Sequence, residues 1–136
     1  STLEEEIQYL RLYLDIEKVR FGHRLQIEII YTDEALLLKL PSLLLQPVVE
    51  NAIKFGLYDT IGDVLIKLEA ATENNYLKIM VQNPFDPETS QPLKGTGFGL
   101  TSIQRRLFLL FGRQDLLQTR KDEANFITTI LIPQIQ

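Results

Sequence analysis

The chain has 136 residues, 45% of them hydrophobic, and a formal net charge of −4, which together predict a single domain with one core. The acidic balance excludes a broad basic nucleic-acid footprint, so we expect no nucleic-acid partner. The absence of cysteine excludes a disulfide framework and a thiol nucleophile, and the single histidine excludes a multi-histidine metal site.

Hydrophobic periodicity predicts the elements in chain order. A capping box of Thr2 and Glu5 begins a helix over residues 2–21, in which Leu3, Ile7, Leu10 and Leu14 form one apolar seam. A second apolar set on this helix indicates that it contacts more than one surface: Tyr9, Leu12, Tyr13, Ile16 and Val19. Alternation predicts a strand over 24–31, followed by a helix over 43–56.

The second half of the chain continues with strands over 63–71 and 76–82, joined by a turn at 73–75. Their alternating apolar residues would face one core: Val64, Ile66, Leu68, Leu77, Ile79 and Val81. A helix over 100–112, closed by Gly112, precedes two strands over 115–120 and 125–132. The direct strand-to-strand connections favour an α+β two-layer sandwich, a mixed sheet covered on one face by helices.

The helix over 43–56, LLLQPVVENAIKFG, carries Glu50, Asn51 and Lys54 opposite its apolar stripe. Asparagine is unfavourable inside a helix, so helix propensity does not explain Asn51. A carboxylate, an amide and an ammonium on one face suggest a phosphate and metal site. A solvated face with a Glu50–Lys54 ion pair explains the same residues equally well.

A second motif, Gly95-Thr96-Gly97-Phe98-Gly99-Leu100, stands just before the predicted helix over 100–112. Glycines before a helix can form an anion cradle, because they allow the backbone to approach a ligand at the helix N-terminus. Many glycine-rich turns bind nothing. The spacing matches neither the dinucleotide fingerprint nor the P-loop.

These blocks resemble a known family in order and in residues. LLLQPVVENAIKFG resembles the N box of GHKL ATP-binding domains, and GTGFGL resembles their second glycine box. The stretch LEEEIQYLRLYLDIEKVRFGHRL is similar to the linker of LytS-like sensor histidine kinases. A GHKL serine kinase of the anti-sigma type fits the boxes but not this linker. The resemblance implies a linker helix at 1–22, from a dimerisation and phosphoacceptor region, and an ATP-binding catalytic domain at 23–136.

The resemblance also implies the roles of individual residues. Asn51 would coordinate Mg²⁺ on the ATP phosphates, Glu50 would orient a metal-bound water or act as a base, and Lys54 would neutralise phosphate charge. Gly95, Gly97 and Gly99 would present backbone N–H groups, and residues 84–94 would form a short lid. Further nucleotide contacts are implied along the boxes and after them: Phe55, Thr96, Phe98, Leu100 and Arg106. A core aromatic explains Phe55 equally well, and Arg105 is the alternative to Arg106.

Two departures from the family pattern bear on function. Asn83 stands where the family has an aspartate that accepts a hydrogen bond from adenine, and Glu123-Ala124-Asn125 replaces a glycine motif before the last strand. The only histidine, His23, is expected in a turn rather than in an acceptor helix.

The expected function is therefore phosphoryl transfer from Mg-ATP to a histidine upstream of this chain. The partners would be a response regulator and, in a homodimeric full-length protein, the histidine-bearing dimerisation domain. We expect a cytoplasmic domain of a membrane-anchored protein. A degenerate, weakly or non-nucleotide-binding scaffold domain is the alternative.

Overall fold

A computed structural model describes residues 1–85 and 92–134, with the side chains at positions 58, 59 and 92–99 outside that description. In chain order, the first half contains α1 (Leu3–Phe21), β1 (Leu25–Tyr31), α2 (Asp33–Leu36) and α3 (Leu45–Asp59). The second half contains β2 (Val64–Glu73), β3 (Tyr76–Pro84), α4 (Pro92–Phe111), β4 (Leu117–Asp122) and β5 (Asn125–Pro133). In this part of the chain, only the four-residue α2, capped by Thr32, had not been predicted.

The five strands form one mixed sheet in the order β1-β2-β3-β5-β4. β1 runs parallel to β2, and the other neighbours are antiparallel. Along β2 and β3, buried residues alternate with partly exposed ones, so the core lies on one face of the sheet. All six predicted core residues of these strands are buried. The predicted α+β fold is confirmed.

The capping box of α1 is present as predicted, with the Glu5 N–H donating to Thr2 Oγ1 at 3.2 Å and the Thr2 N–H donating to Glu5 Oε1 at 2.9 Å. The seam of Leu3, Ile7, Leu10 and Leu14 is buried against the domain. Of the second apolar set, Tyr9, Leu12, Ile16 and Val19 each remain more than half exposed. The helix therefore has one covered apolar stripe and one open apolar stripe.

The close approach of α3 to the sheet depends on Gly56. A Cβ atom at this position would lie 2.9 Å from Val64 Cγ1 and 3.3 Å from Ile66 Cδ1, which is closer than such contacts normally allow. It would also lie 3.7 Å from Pro84 Cδ. The glycine thus brings the C-terminal part of α3 against β2 and against the end of β3.

The predicted start of the last helix is wrong. α4 begins at Pro92 rather than at residue 100, so the glycines at 95, 97 and 99 lie within its first turns and not in a loop. Proline is favoured at the first position of a helix, where the missing N–H has no intrahelical partner. The predicted end is confirmed, because Gly112 has φ +70° and its N–H donates to the Phe108 carbonyl at 2.7 Å.

Candidate functional site

The polar side of α3 divides into two flanks. Glu50 and Lys54 are exposed and line a shallow groove of about 210 Å³ against Tyr13 and Glu17 of α1. Asn51 and Phe55 are half-buried. Because successive helical residues are rotated by about 100°, these two side chains lie on the flank away from α1. The residues predicted as one site therefore face two neighbouring surfaces.

Glu50 is held by a neighbour one turn earlier. Gln46 Nε2 donates to Glu50 Oε1 at 2.9 Å. The Glu50–Lys54 ion pair that would explain this face as a solvated surface does not form between these two described residues. Instead, Lys54 Nζ lies 5.8 Å from the centre of the Phe55 ring. Sequence reasoning gave Gln46 no role, although its i, i+4 spacing to Glu50 was a usable signal.

The groove between α1 and α3 has a negative side. Burial raises the pKa of the Tyr13 phenol well above its ordinary value, and the carboxylates of Glu17 and Glu50 raise it further, while Arg20 opposes them. Carboxylates disfavour the ionised phenolate by like-charge repulsion. Arg20 and Lys54 line the same groove, so its charged side chains balance and it offers a phosphate no net positive charge.

The glycine segment offers fewer backbone donors than a loop would. In a helix that begins at Pro92, the backbone N–H groups of the first three helical residues lack intrahelical partners, and Lys94 is the last of these residues. Gly95, Gly97 and Gly99 fall in the region of regular i to i−4 bonding. Thr96 and Phe98 have side chains outside the described ones. Leu100 is buried in the core, so its side chain is a packing group rather than a ligand contact.

Asn83 lies near the end of β3, opposite Phe126 of β5, and is 3% exposed. Its Nδ2 donates to the Pro84 carbonyl at 2.9 Å, which fixes the orientation of the amide. The next residue, Phe85, packs edge-on against Phe126 with ring centres 6.4 Å apart. Of the predicted lid, residues 86–91, including Asp86, lie outside the described residues, and residues 92–94 begin α4.

Arg106 lies away from the other predicted site residues. It is nine residues beyond Gly97 on α4, about 14 Å along the helix axis, and its guanidinium donates to the Ser42 carbonyl. The structure gives no geometric support for a phosphate contact from this side chain.

His23 is exposed in a short 3₁₀ turn at Gly22–Arg24, as expected for a turn histidine. Over the described residues, no group of three His, Asp or Glu side chains is arranged to hold a metal ion. No helix among them is long and apolar enough to cross a membrane.

Sequence comparison links this geometry to known proteins. The chain is 34% identical over 114 residues to the sensor histidine kinase BtsS of Escherichia coli, covering 82% of this chain and 20% of BtsS. It is 28% identical over 143 residues to the sensor protein LytS of Staphylococcus epidermidis, covering 97% of this chain and 24% of LytS. No protein-family model matches the chain.

Structural comparison shows the same fold. The catalytic domain of the histidine kinase ThkA superposes with a TM-score of 0.71 at 15% identity, covering 98% of this chain and 94% of that domain. This chain belongs to the GHKL-type catalytic domains of LytS-like sensor histidine kinases.

The LytS-like domain spans about a fifth to a quarter of the length of BtsS and LytS. The histidine kinase ThkA has also been solved in complex with the response regulator TrrA. The ThkA chain of that complex superposes on this LytS-like domain with a TM-score of 0.63 at 15% identity, covering 98% of the domain and 41% of that chain.

Proposed function

We propose that this domain binds Mg-ATP and transfers the γ-phosphate to a histidine located upstream of it in a two-component sensor kinase. One observation carries the proposal: Asn51 is half-buried on the flank of α3 away from α1, in a chain whose relatives are sensor histidine kinases. A helix-interior asparagine has poor propensity there, and a ligand-binding role accounts for it.

The residues of this flank fit Mg²⁺ held mainly by the nucleotide. Mg²⁺ usually takes one or two protein oxygens and completes its shell with water and phosphate oxygens, so it does not need a cluster of carboxylates. Asn51 would supply that oxygen, and bound Mg²⁺ would neutralise phosphate charge. Lys54 lies on the other flank, but its Nζ, 5.8 Å from the centre of the Phe55 ring, would add a positive charge at the edge of the Asn51 flank. Gly95 has no Cβ atom and would let the phosphates approach the start of α4 closely.

The roles of the other site residues are inferred from their positions on α3 and β3. Phe55, beside Asn51 on the half-buried flank, would contact the nucleotide through its ring. Asn83 would accept a hydrogen bond from the adenine amino group through Oδ1, since Nδ2 is committed to Pro84. Glu50, held by Gln46 on the other flank, would be the base that faces the incoming histidine. Such a site works by positioning and charge stabilisation.

The proposed partners are inferred from the open apolar stripe of α1 and from the complex of ThkA with a response regulator. The open apolar stripe of Tyr9, Leu12, Ile16 and Val19 has the three- and four-residue spacing of a helix–helix seam. We assign it to the contact between this linker helix and the histidine-bearing dimerisation domain of a homodimer. A response regulator would receive the phosphoryl group, by analogy with the ThkA complex.

A degenerate domain that binds nucleotide weakly is the second candidate. Two observations favour it: the glycine segment is helical, and Asn83 offers adenine an uncharged acceptor. An uncharged acceptor in place of a carboxylate costs about 1–2 kcal/mol, or roughly tenfold in affinity.

Calorimetric titration of this domain with ATP, with and without Mg²⁺, distinguishes the kinase domain from the degenerate domain. We expect Mg-dependent binding that Asn51→Ala weakens by tenfold or more, about 1.4 kcal/mol. Asn75→Ala, in the turn between β2 and β3, is the matched control and should bind as the wild type does. Absence of binding at millimolar ATP would favour the degenerate domain, and an unchanged Asn51→Ala affinity would remove the metal role.

A further inference from the structure

A second concave surface lies away from the polar side of α3. It is bounded by the C-terminal part of α4, the end of β5 and residues 39–42, and we call it the α4–β5 groove. Its volume is about 720 Å³, within the range typical of small-molecule sites. Leu40 and Ile132 are buried and form its floor. The kinase proposal gives this groove no role.

The walls of the groove are fixed by hydrogen bonds within the protein. The Lys39 N–H donates to Gln134 Oε1 at 2.9 Å, and Gln134 Nε2 donates to the Lys39 carbonyl at 2.7 Å. On the other side of this segment, the Leu3 N–H donates to the Leu38 carbonyl at 2.8 Å. Arg106 ties α4 to the same segment through the Ser42 carbonyl. A groove built this way needs little reorganisation to accept a ligand.

Large apolar side chains line this groove in contact with solvent. Leu109 and Leu110 are 71% and 55% exposed, and Pro41, Phe111 and Pro133 extend the apolar lining. Burial of such side chains under an apolar ligand is favourable in proportion to the area covered.

The charged side chains that line the α4–β5 groove are positive, whereas the chain as a whole is negative. Although the chain carries a net charge of −4, both charged lining residues, Lys39 and Arg106, are basic. No described carboxylate forms an ion pair with either of them. A guanidinium has five N–H donors, so the bond from Arg106 to Ser42 leaves others for an anion.

We propose that the α4–β5 groove binds a small anionic amphiphile, an aliphatic carboxylate of medium chain length. The carboxylate pairs with Arg106 and Lys39, and the hydrocarbon chain lies over Leu40, Leu110 and Ile132. The volume, the apolar floor and walls, and the two cations each match one part of such a ligand.

Calorimetric titration of this domain with decanoate, below its micelle concentration, tests the site. We expect saturable binding, with each added methylene between octanoate and decanoate strengthening affinity about three- to fourfold. Nonyltrimethylammonium, which has the same nine-carbon chain and a cationic head, should bind at least tenfold more weakly. Equal binding of the two surfactants would overturn the proposal, as would the absence of decanoate binding.

Single-residue variants test whether decanoate binds in the α4–β5 groove. Leu110→Glu places a carboxylate on an exposed wall position and should abolish decanoate binding, whereas Leu65→Glu, on the open face of β2, should leave it unchanged. Arg106→Gln should weaken binding about tenfold, and Arg105→Gln, an exposed neighbour outside the lining, should not. Decanoate binding that survives Leu110→Glu would overturn the proposal. ATP titration of the same variants keeps this result separate from the kinase proposal.

Discussion

Gln46 and Glu50 are joined across one turn of α3 by a hydrogen bond of 2.9 Å from the amide nitrogen to the carboxylate. In the proposed kinase, this bond orients the base without touching the nucleotide. Gln46→Leu should therefore slow phosphoryl transfer in the full-length protein about three- to tenfold, the effect of losing roughly 0.5–1.5 kcal/mol.

The affinity for ATP should stay within about twofold in this variant, because the flank that holds Asn51 is unaltered. Single-turnover measurements with labelled ATP, alongside equilibrium binding, separate the two effects. Gln118→Leu, on exposed β4, is the control. A loss of ATP affinity equal to the loss of rate would show that Gln46 belongs to the nucleotide site instead.

Asn83→Asp should have opposite effects on stability and on binding. A carboxylate oxygen would replace Nδ2 opposite the Pro84 carbonyl, in a residue that is 3% exposed, so the nucleotide-free domain should lose about 1–3 kcal/mol of stability. The affinity for ATP should rise about tenfold, because a charged acceptor would face the adenine amino group.

Urea unfolding and ATP titration measure the two effects on one sample. Asn75→Asp, in an exposed turn, controls for the added charge. If stability falls and ATP affinity does not rise, Asn83 does not face adenine.

Gly56→Ala should destabilise the domain by about 1–3 kcal/mol, because the new Cβ atom overlaps Val64. Thermal unfolding of the double variant with Val64→Ala provides the test. Removing the Val64 methyl groups makes room for the added Cβ atom, so the two losses should be less than additive. Full additivity would mean that the contact between α3 and β2 is looser than 2.9 Å implies.

Leu43→Gly should stabilise the domain by about 0.5–1 kcal/mol, because Leu43 has φ 61° and is 60% exposed. The substitution relieves an unfavourable left-handed backbone and gives up little burial. Leu37 is 75% exposed but has φ −88°, which is an ordinary value for leucine. Leu37→Gly should therefore lower stability, because the glycine relieves no strain and only increases the conformational entropy of the unfolded chain. Opposite signs in thermal melts would confirm the backbone origin of the difference.

Arg113 and Asp115 form a two-bond ion pair, with distances of 2.9 Å and 2.7 Å, and Arg113 also donates to the Tyr76 hydroxyl at 2.6 Å. The guanidinium holds the pKa of Asp115 below its ordinary value. A lowered folded-state pKa contributes stability above the unfolded value of about 3.9 and loses it as pH falls through the folded value. The melting temperature of the wild type should therefore exceed that of Asp115→Asn near neutral pH, and the difference should shrink below about pH 4. A constant difference between about pH 7 and about pH 3 would contradict this assignment.

Regular periodicity made the main elements predictable. The seam of α1 and the alternation of β2 and β3 are strong signals, because each repeats over several turns or pairs. The start of α4 was not predictable in this way, since three glycines lower the helix propensity of its first turns. The division of the polar side of α3 into two flanks was also not predictable. A sequence shows which residues share a polar face, but it does not show which neighbouring element each of them contacts.

Two reciprocal hydrogen bonds between Gln134 and Lys39 connect the end of the sheet to the segment before α3. Residues 38–40 are bonded on one side to the start of α1 and on the other to Gln134, which follows β5 and is 95 residues from Lys39 in sequence. A rotation of α1 would pull on this short segment and, through it, on the floor of the α4–β5 groove. Motion of α1 would thus alter the shape of a surface that α1 itself does not line.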